Sequence, residues 1–147
     1  MNLKAFRCGA NVIAFEKNHK RYGMTCAWAM MVDYSKIMML IGSQSQTGNQ
    51  LEIGDLVGVS ALACGQEDIA RKFGTVHSLE VDKFKKTDFS LIDNMIIINH
   101  AKVQMQCKVV EIKDLSGDKL VTLEVLNFIE EDDIDYLDGY NPLCYHK

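Results

Sequence analysis

Apolar residues along this chain come in short runs separated by polar turns, a spacing that predicts strands more often than helices. Residues 10–16, Ala-Asn-Val-Ile-Ala-Phe-Glu, read as a first strand, and Asn18-His19-Lys20-Arg21 as a polar turn. Residues 22–33 read as one long strand. Met24, Cys26, Trp28, Met30 and Val32 then share one face, and Gly23, Thr25, Ala27, Ala29 and Met31 the other. The second face is small and partly polar, which suits close approach by a flat ligand. Residues 37–41 form another apolar strand, and residues 42–47 a polar turn. Thr47 and Gln50 have the spacing of a capping box, so a short helix is expected to start at Thr47 and stop at Gly54. Residues 56–62 read as a buried strand. A second helix is expected over residues 66–73, with Ile69, Ala70 and Phe73 inward and Gly74 as its stop.

The second half is mostly strand-like. Residues 95–99 are a short apolar run. Further on, Val103, Met105, Cys107 and Val109 alternate with Lys102, Gln104, Gln106 and Lys108, the period of a strand with one wet face. The turn Asp114-Leu115-Ser116-Gly117-Asp118 leads to a strand over 119–129, which makes a hairpin. The acidic run from Glu130 to Asp133 reads as a solvated exit from the sheet. Many strands with only short helices predict a mainly β, antiparallel barrel or sandwich. No GxGxxG follows a strand, so a dinucleotide would not bind here in the doubly wound manner.

At 147 residues the chain is one domain's worth, expected to span 1–147 as a single unit with a full core. The net charge of −4 gives no basic face for nucleic acid or for anionic lipid. The longest nearly uncharged run, residues 22–32, is too short to span a bilayer, and the expected compartment is the cytoplasm. The five cysteines, Cys8, Cys26, Cys64, Cys107 and Cys144, include no CxxC pair and read as small buried hydrophobes in a reducing cell. The histidines are scattered, and no metal-ligand spacing is present. No GxSxG marks a nucleophile.

Two stretches carry candidate chemistry. Ser43, Gln44, Ser45, Gln46 and Thr47 precede a helix, and their donors suit an anion such as a mononucleotide phosphate; a plain N-cap with loop serines is the other reading. Thr25, Cys26, Ala27 and Trp28 offer small surface and backbone groups to a flat ring, or simply pack a core.

The order of these features resembles the flavin reductase-like, FMN-binding split β-barrel family, which includes flavoredoxins and flavin reductases. Gly23-Met24-Thr25-Cys26-Ala27-Trp28 resembles its N-x-M-T-A-S-W strand, and Ser43-Gln44-Ser45-Gln46-Thr47 its Ser/Thr-rich phosphate turn. Ala70-Arg71-Lys72-Phe73-Gly74 with Val81-Asp82-Lys83-Phe84 resembles A-x-x-F-(S/G) … D-K-F. Cys107 matches an L-E-C-x-V position, and Pro142-Leu143-Cys144-Tyr145-His146 a P-L-x-Y-H segment. The resemblance implies an antiparallel split β-barrel with short helices, a homodimer, and FMN near the subunit interface. It implies that Thr25, Cys26, Ala27 and Trp28 meet the flavin and that Ser43, Gln44, Ser45 and Thr47 hold its phosphate. It points to Lys72 or Lys83 for positive charge, unless these are solvated surface lysines, and to His146 near a transient NAD(P)H. The implied activity is electron transfer from NAD(P)H through flavin to free flavin or another acceptor. A non-enzymatic flavoredoxin-like electron carrier is the second reading. An oligonucleotide-binding barrel is a third, disfavoured by the acidic balance.

Overall fold

The computed structural model describes residues 3–42, 45–75 and 82–141. Along the chain these hold β1 (Asn11–Lys17), β2 (Lys20–Cys26), β3 (Ala29–Asp33), β4 (Lys36–Ile41), α1 (Gln46–Asn49), β5 (Leu56–Ala61) and α2 (Glu67–Thr75). Then come β6 (Phe89–Ile92), β7 (Met95–Ile98), β8 (Val103–Leu115) and β9 (Asp118–Glu130). The sheet runs in the order β3-β4-β9-β8-β5-β1-β7-β6, with β2 on the other edge of β1, and the pairings are antiparallel. Its two ends do not pair among the described residues, so the barrel is split, as the sequence leads one to expect.

The centre of the fold is β1. Ile13 and Phe15 point into the barrel core with Tyr22, Met39, Val59 and Leu123. Ala10, Val12 and Ala14 point the other way, into a second core with Leu62, Phe73, Ile96 and Ile98. A strand buried on both faces reads as a continuous apolar run rather than an alternating one. β1 turns into β2 through Asn18 and His19, both at positive φ (53° and 64°), and Lys17 pairs with Lys20. This is the two-residue hairpin geometry whose twist matches that of the strands, and Asn tolerates it well. Phe15 and Tyr22 stack across the pair with centroids 5.5 Å apart.

The expected long strand over residues 22–33 is in fact two. β2 follows β1 as far as Cys26, and the chain then breaks at Ala27 and Trp28 and continues as β3 along β4. The cause is a change of partner: Ala29 N–H turns back to Ala27 O at 3.0 Å, and Leu40 N–H donates to Trp28 O at 2.9 Å. One face therefore does not persist. Cys26 is buried, whereas Trp28 and Met30 are each 66% exposed.

Three other boundaries differ from the sequence reading. The first helix is α1, capped by Ser45 rather than Thr47: Ser45 Oγ accepts from Gly48 N–H at 2.9 Å, and Thr47 is buried within the turn. The hydroxyl two residues earlier wins because its residue is extended (φ −76°, ψ 122°), as an N-cap requires. α2 runs one residue past Gly74, with Ala70 and Phe73 inward as expected. β6 is additional, paired to β7 through a tight turn in which Asp93 takes φ 53°. β8 and β9 form the expected hairpin, each 13 residues long, around Ser116 and Gly117. No helix among the described residues is long and apolar enough to cross a membrane.

The approach of β5 to β7 demands a glycine. A Cβ on Gly58 would lie 1.9 Å from Ile96 O. Backbone cannot move aside as a side chain can, so the two cores would separate locally. Gly58→Ala is expected to destabilise the fold by roughly 3 kcal/mol, the upper end of overpacking costs. Chemical denaturation checks this, and an unchanged midpoint would contradict the packing described.

Candidate functional site

The break between β2 and β3 and the turn before α1 lie some twenty residues apart in sequence and meet in space. Ser45 Oγ lies 2.9 Å from Met24 Sδ. Gly48 lets α1 sit tightly on the end of β4, since a Cβ there would meet Ile41 Cγ2 at 2.4 Å. On the other side, α2 lies over β2: a Cβ on Gly23 would be 2.8 Å from the Phe73 ring. The small face of β2 is therefore filled by a helix at Gly23 and Thr25, rather than left open to a flat ligand. Small residues permit close approach in both cases, but here the approaching surface is Phe73.

The free edge of β2 is what remains available. Counted from the hairpin pair Lys17 and Lys20, alternation of the ladder turns the backbone N–H and C=O of Gly23 and Thr25 away from β1. Among the described residues no strand pairs with this edge, and such groups suit a partner with alternating donors and acceptors. Gly23 O accepts from Lys83 Nζ at 2.9 Å.

Each residue singled out in the sequence has a definite place. Thr25 is buried, and its Oγ1 donates to Ala70 O at 2.7 Å, so it offers its backbone and not its hydroxyl. Cys26 is buried with Sγ 3.4 Å from Trp28 O and 3.3 Å from Leu40 O. Burial pushes its thiol up to about 11, and that of Cys107 up to about 12, so neither supplies a thiolate at neutral pH. Cys64 is exposed and Cys8 half-buried, so only Cys26 and Cys107 fit the expectation of buried cysteines among those described. Ala27 and Trp28 form the break, with the indole outward. Ser45 caps α1, Thr47 is buried beside it, and Ser43, Gln44, Cys144 and His146 lie outside the described residues. Lys72 Nζ donates to Thr87 Oγ1 at 2.8 Å. Lys83 is only 4% exposed, and besides Gly23 O its ammonium reaches Phe73 O at 3.4 Å.

Sequence reasoning missed one cation beside this site. Lys119 lies opposite Ile41 in the β4–β9 ladder and donates from Nζ to Gly48 O at 3.1 Å, against α1. Its only sequence signal is a lysine at the start of a hairpin strand, which is common on any surface. Next to the break, from Ala29 onward, a groove of about 610 Å³ opens between β3 and the barrel interior. Met30, Met31, Val59, Met105, Phe128 and Tyr136 line it, with Arg7 at its rim.

Among curated proteins none matches the chain. Solved structures do. The Streptomyces globisporus C-1027 NADH:FAD oxidoreductase SgcE6 superposes with a TM-score of 0.81 at 20% identity, over 89% of this chain and 80% of that one. A flavoredoxin from Methanosarcina acetivorans gives 0.79 at 14% identity, over 93% and 87%. An FMN-binding protein from Thermus thermophilus gives 0.79 at 17%, over 90% and 77%. At these identities the likeness establishes the split-barrel fold. The sequence profile of the flavin reductase like domain matches residues 4–147, nearly the whole chain, and the chain belongs to that family.

Proposed function

We propose that the chain, as one unit spanning residues 1–147, binds FMN between the edge of β2 and the turn before α1, and carries electrons from NAD(P)H to free flavin or another acceptor. The observation that carries this reading is the meeting of Ser45 with Met24: the polar turn and the strand break converge on one place. A flavin has an alternating donor–acceptor edge, a flat ring and a phosphate, and the residues present fit all three. The outward N–H and C=O groups of Thr25 suit the ring edge, and the exposed Trp28 offers an aromatic surface. We assign the phosphate to Ser45 and Thr47, together with Ser43 and Gln44 of the same polar stretch, with Lys72 and Lys119 as the cations proposed for its charge. Bound flavin supplies the redox chemistry, and the protein binds, orients and tunes it. The neighbour that is an NADH:FAD oxidoreductase supports a nicotinamide donor. Without a Rossmann fingerprint, that donor is held briefly and is lost on gel filtration.

Ser45→Gly tests the phosphate site while sparing the helix, since glycine is an adequate N-cap. One charge-assisted hydrogen bond is worth about 1.5 kcal/mol or more. FMN affinity is therefore expected to fall on the order of tenfold, and riboflavin affinity, which involves no phosphate, to stay unchanged. Fluorescence titration of both flavins decides. Unchanged FMN affinity places the phosphate elsewhere.

The same reading includes a homodimer. β3 ends the sheet and exposes Met30, Met31 and Val32 in succession, with Tyr34 fully exposed at its turn. Leu126 and Phe128 of β9 and Tyr136 continue the apolar surface around the groove. An edge strand of this kind invites pairing unless it is covered. At roughly 100–200 Å² for each large side chain, the patch approaches the ~800 Å² per partner of a standard interface. Light scattering is expected to give twice the chain mass, and Met31→Glu with Phe128→Glu to halve it. A wild-type monomer with flavin bound would contradict the dimer.

A further inference from the structure

Lys83 is a buried ammonium whose partners, among the described residues, are carbonyls and a ring. It is 4% exposed, and among the described residues no carboxylate pairs with it. Its partners are the carbonyl of Gly23 at 2.9 Å, the carbonyl of Phe73 at 3.4 Å, and the Phe73 ring with its centroid 5.7 Å away. Desolvation lowers its pKa from 10.5 to about 8. A group of this kind costs stability, and an apolar side chain of the same length would fill the slot at less cost.

Its position supplies a reason for keeping it. Phe73 lies in the last turn of α2, where carbonyls lack helical partners and a cation is favoured. Gly23 O belongs to the outward edge of β2, two residues before the backbone groups assigned to the flavin. One ammonium thus joins the end of a helix to the edge of the site strand. The lysine is itself fixed: Lys83 O accepts from Thr87 Oγ1 at 2.7 Å, Thr87 accepts from Lys72, and Phe84 packs edge-on to Phe73 and Phe89. Three neighbouring charged groups on the packed elements are engaged elsewhere. The Asp82 carboxylate accepts from Phe84 N–H, Arg71 pairs with Asp68, and Arg21 with Glu16.

We propose that Lys83 is a positioning residue, whose buried ammonium clamps the edge of β2 to the end of α2 and so holds the backbone of residues 24–28 in register for the flavin ring. This rests on the flavin reading of the site. It separates Lys83 from a direct phosphate role, because a clamp acts on ring and phosphate forms alike.

The test uses Lys83→Met, which keeps length and loses charge, and Lys83→Gln, which keeps a donor. Amide hydrogen exchange of the flavin-free protein at pH 7 is expected to quicken about tenfold over residues 24–28 in the Met variant, and less in the Gln variant. FMN and riboflavin affinities are expected to fall together, by about tenfold. In wild type, FMN affinity is expected to decline as pH rises through about 8, as the ammonium loses its proton, with no such step in Lys83→Met. Thermal stability adds a sign: between pH 8 and 10.5 the unfolded chain holds a proton that the folded chain has lost, so wild type gains stability relative to the Met variant across that window. Unchanged exchange and affinities in both variants overturn the proposal, and loss of FMN affinity alone replaces it with a direct phosphate contact. If wild type binds no flavin, the functional reading fails, while the exchange measurement still decides whether the clamp exists.

Discussion

Burial of β1 on both faces is the constraint on which the candidate site depends. Ile13 and Phe15 commit one face to the barrel core, and Val12 and Ala14 commit the other to the core under α2. Cutting Ile13 or Phe15 back to alanine costs roughly 2–5 kcal/mol. With both faces and one edge of β1 taken, β2 has only the other edge of β1 to pair with. Among the described residues no strand then pairs with the outer edge of β2, and α2 lies over the face of β2 at Gly23 to close the second core. A strand edge with no partner strand among the described residues thus follows from a core requirement several residues away.

The break at Ala27 and Trp28 is the second consequence. A strand that stayed with β1 would never reach β4, and the barrel would not curl. By leaving β1 at Cys26 and pairing Trp28 O with Leu40 N–H, the chain carries the sheet round to the hairpin of β8 and β9. The change of partner leaves a corner, and the turn before α1 packs into it through Ser45 and Met24. The corner brings the polar backbone of the break and the Ser45 hydroxyl to one place.

Much of this was legible in the sequence, for reasons that differ by element. The hairpin of β8 and β9 announced itself through alternation and a Ser-Gly turn, and α2 through the spacing of Ile69, Ala70 and Phe73. β1 was visible as a short strand over residues 10–16, but its burial on both faces depends on the two cores that close over it. The break after Cys26 was not, because alternation continues through Ala27 and Trp28 and only a tertiary partner interrupts it. The cap at Ser45 was hidden by Thr47, whose spacing to Gln50 satisfied the local rule equally well. The covering of Gly23 by Phe73 and the burial of Lys83 depend on where α2 lands, which no local pattern encodes. The same holds for Lys119, whose register opposite Ile41 is set by the sheet.

The most direct measurement is the absorbance spectrum of the freshly purified protein, supplemented with FMN if pale, before and after anaerobic addition of NADH or NADPH. A yellow protein whose flavin bands bleach, and recover with an added flavin acceptor over many turnovers, is the expected result. A yellow protein that neither nicotinamide bleaches leaves the carrier reading in place of the enzyme. A protein that binds no flavin contradicts the central claim.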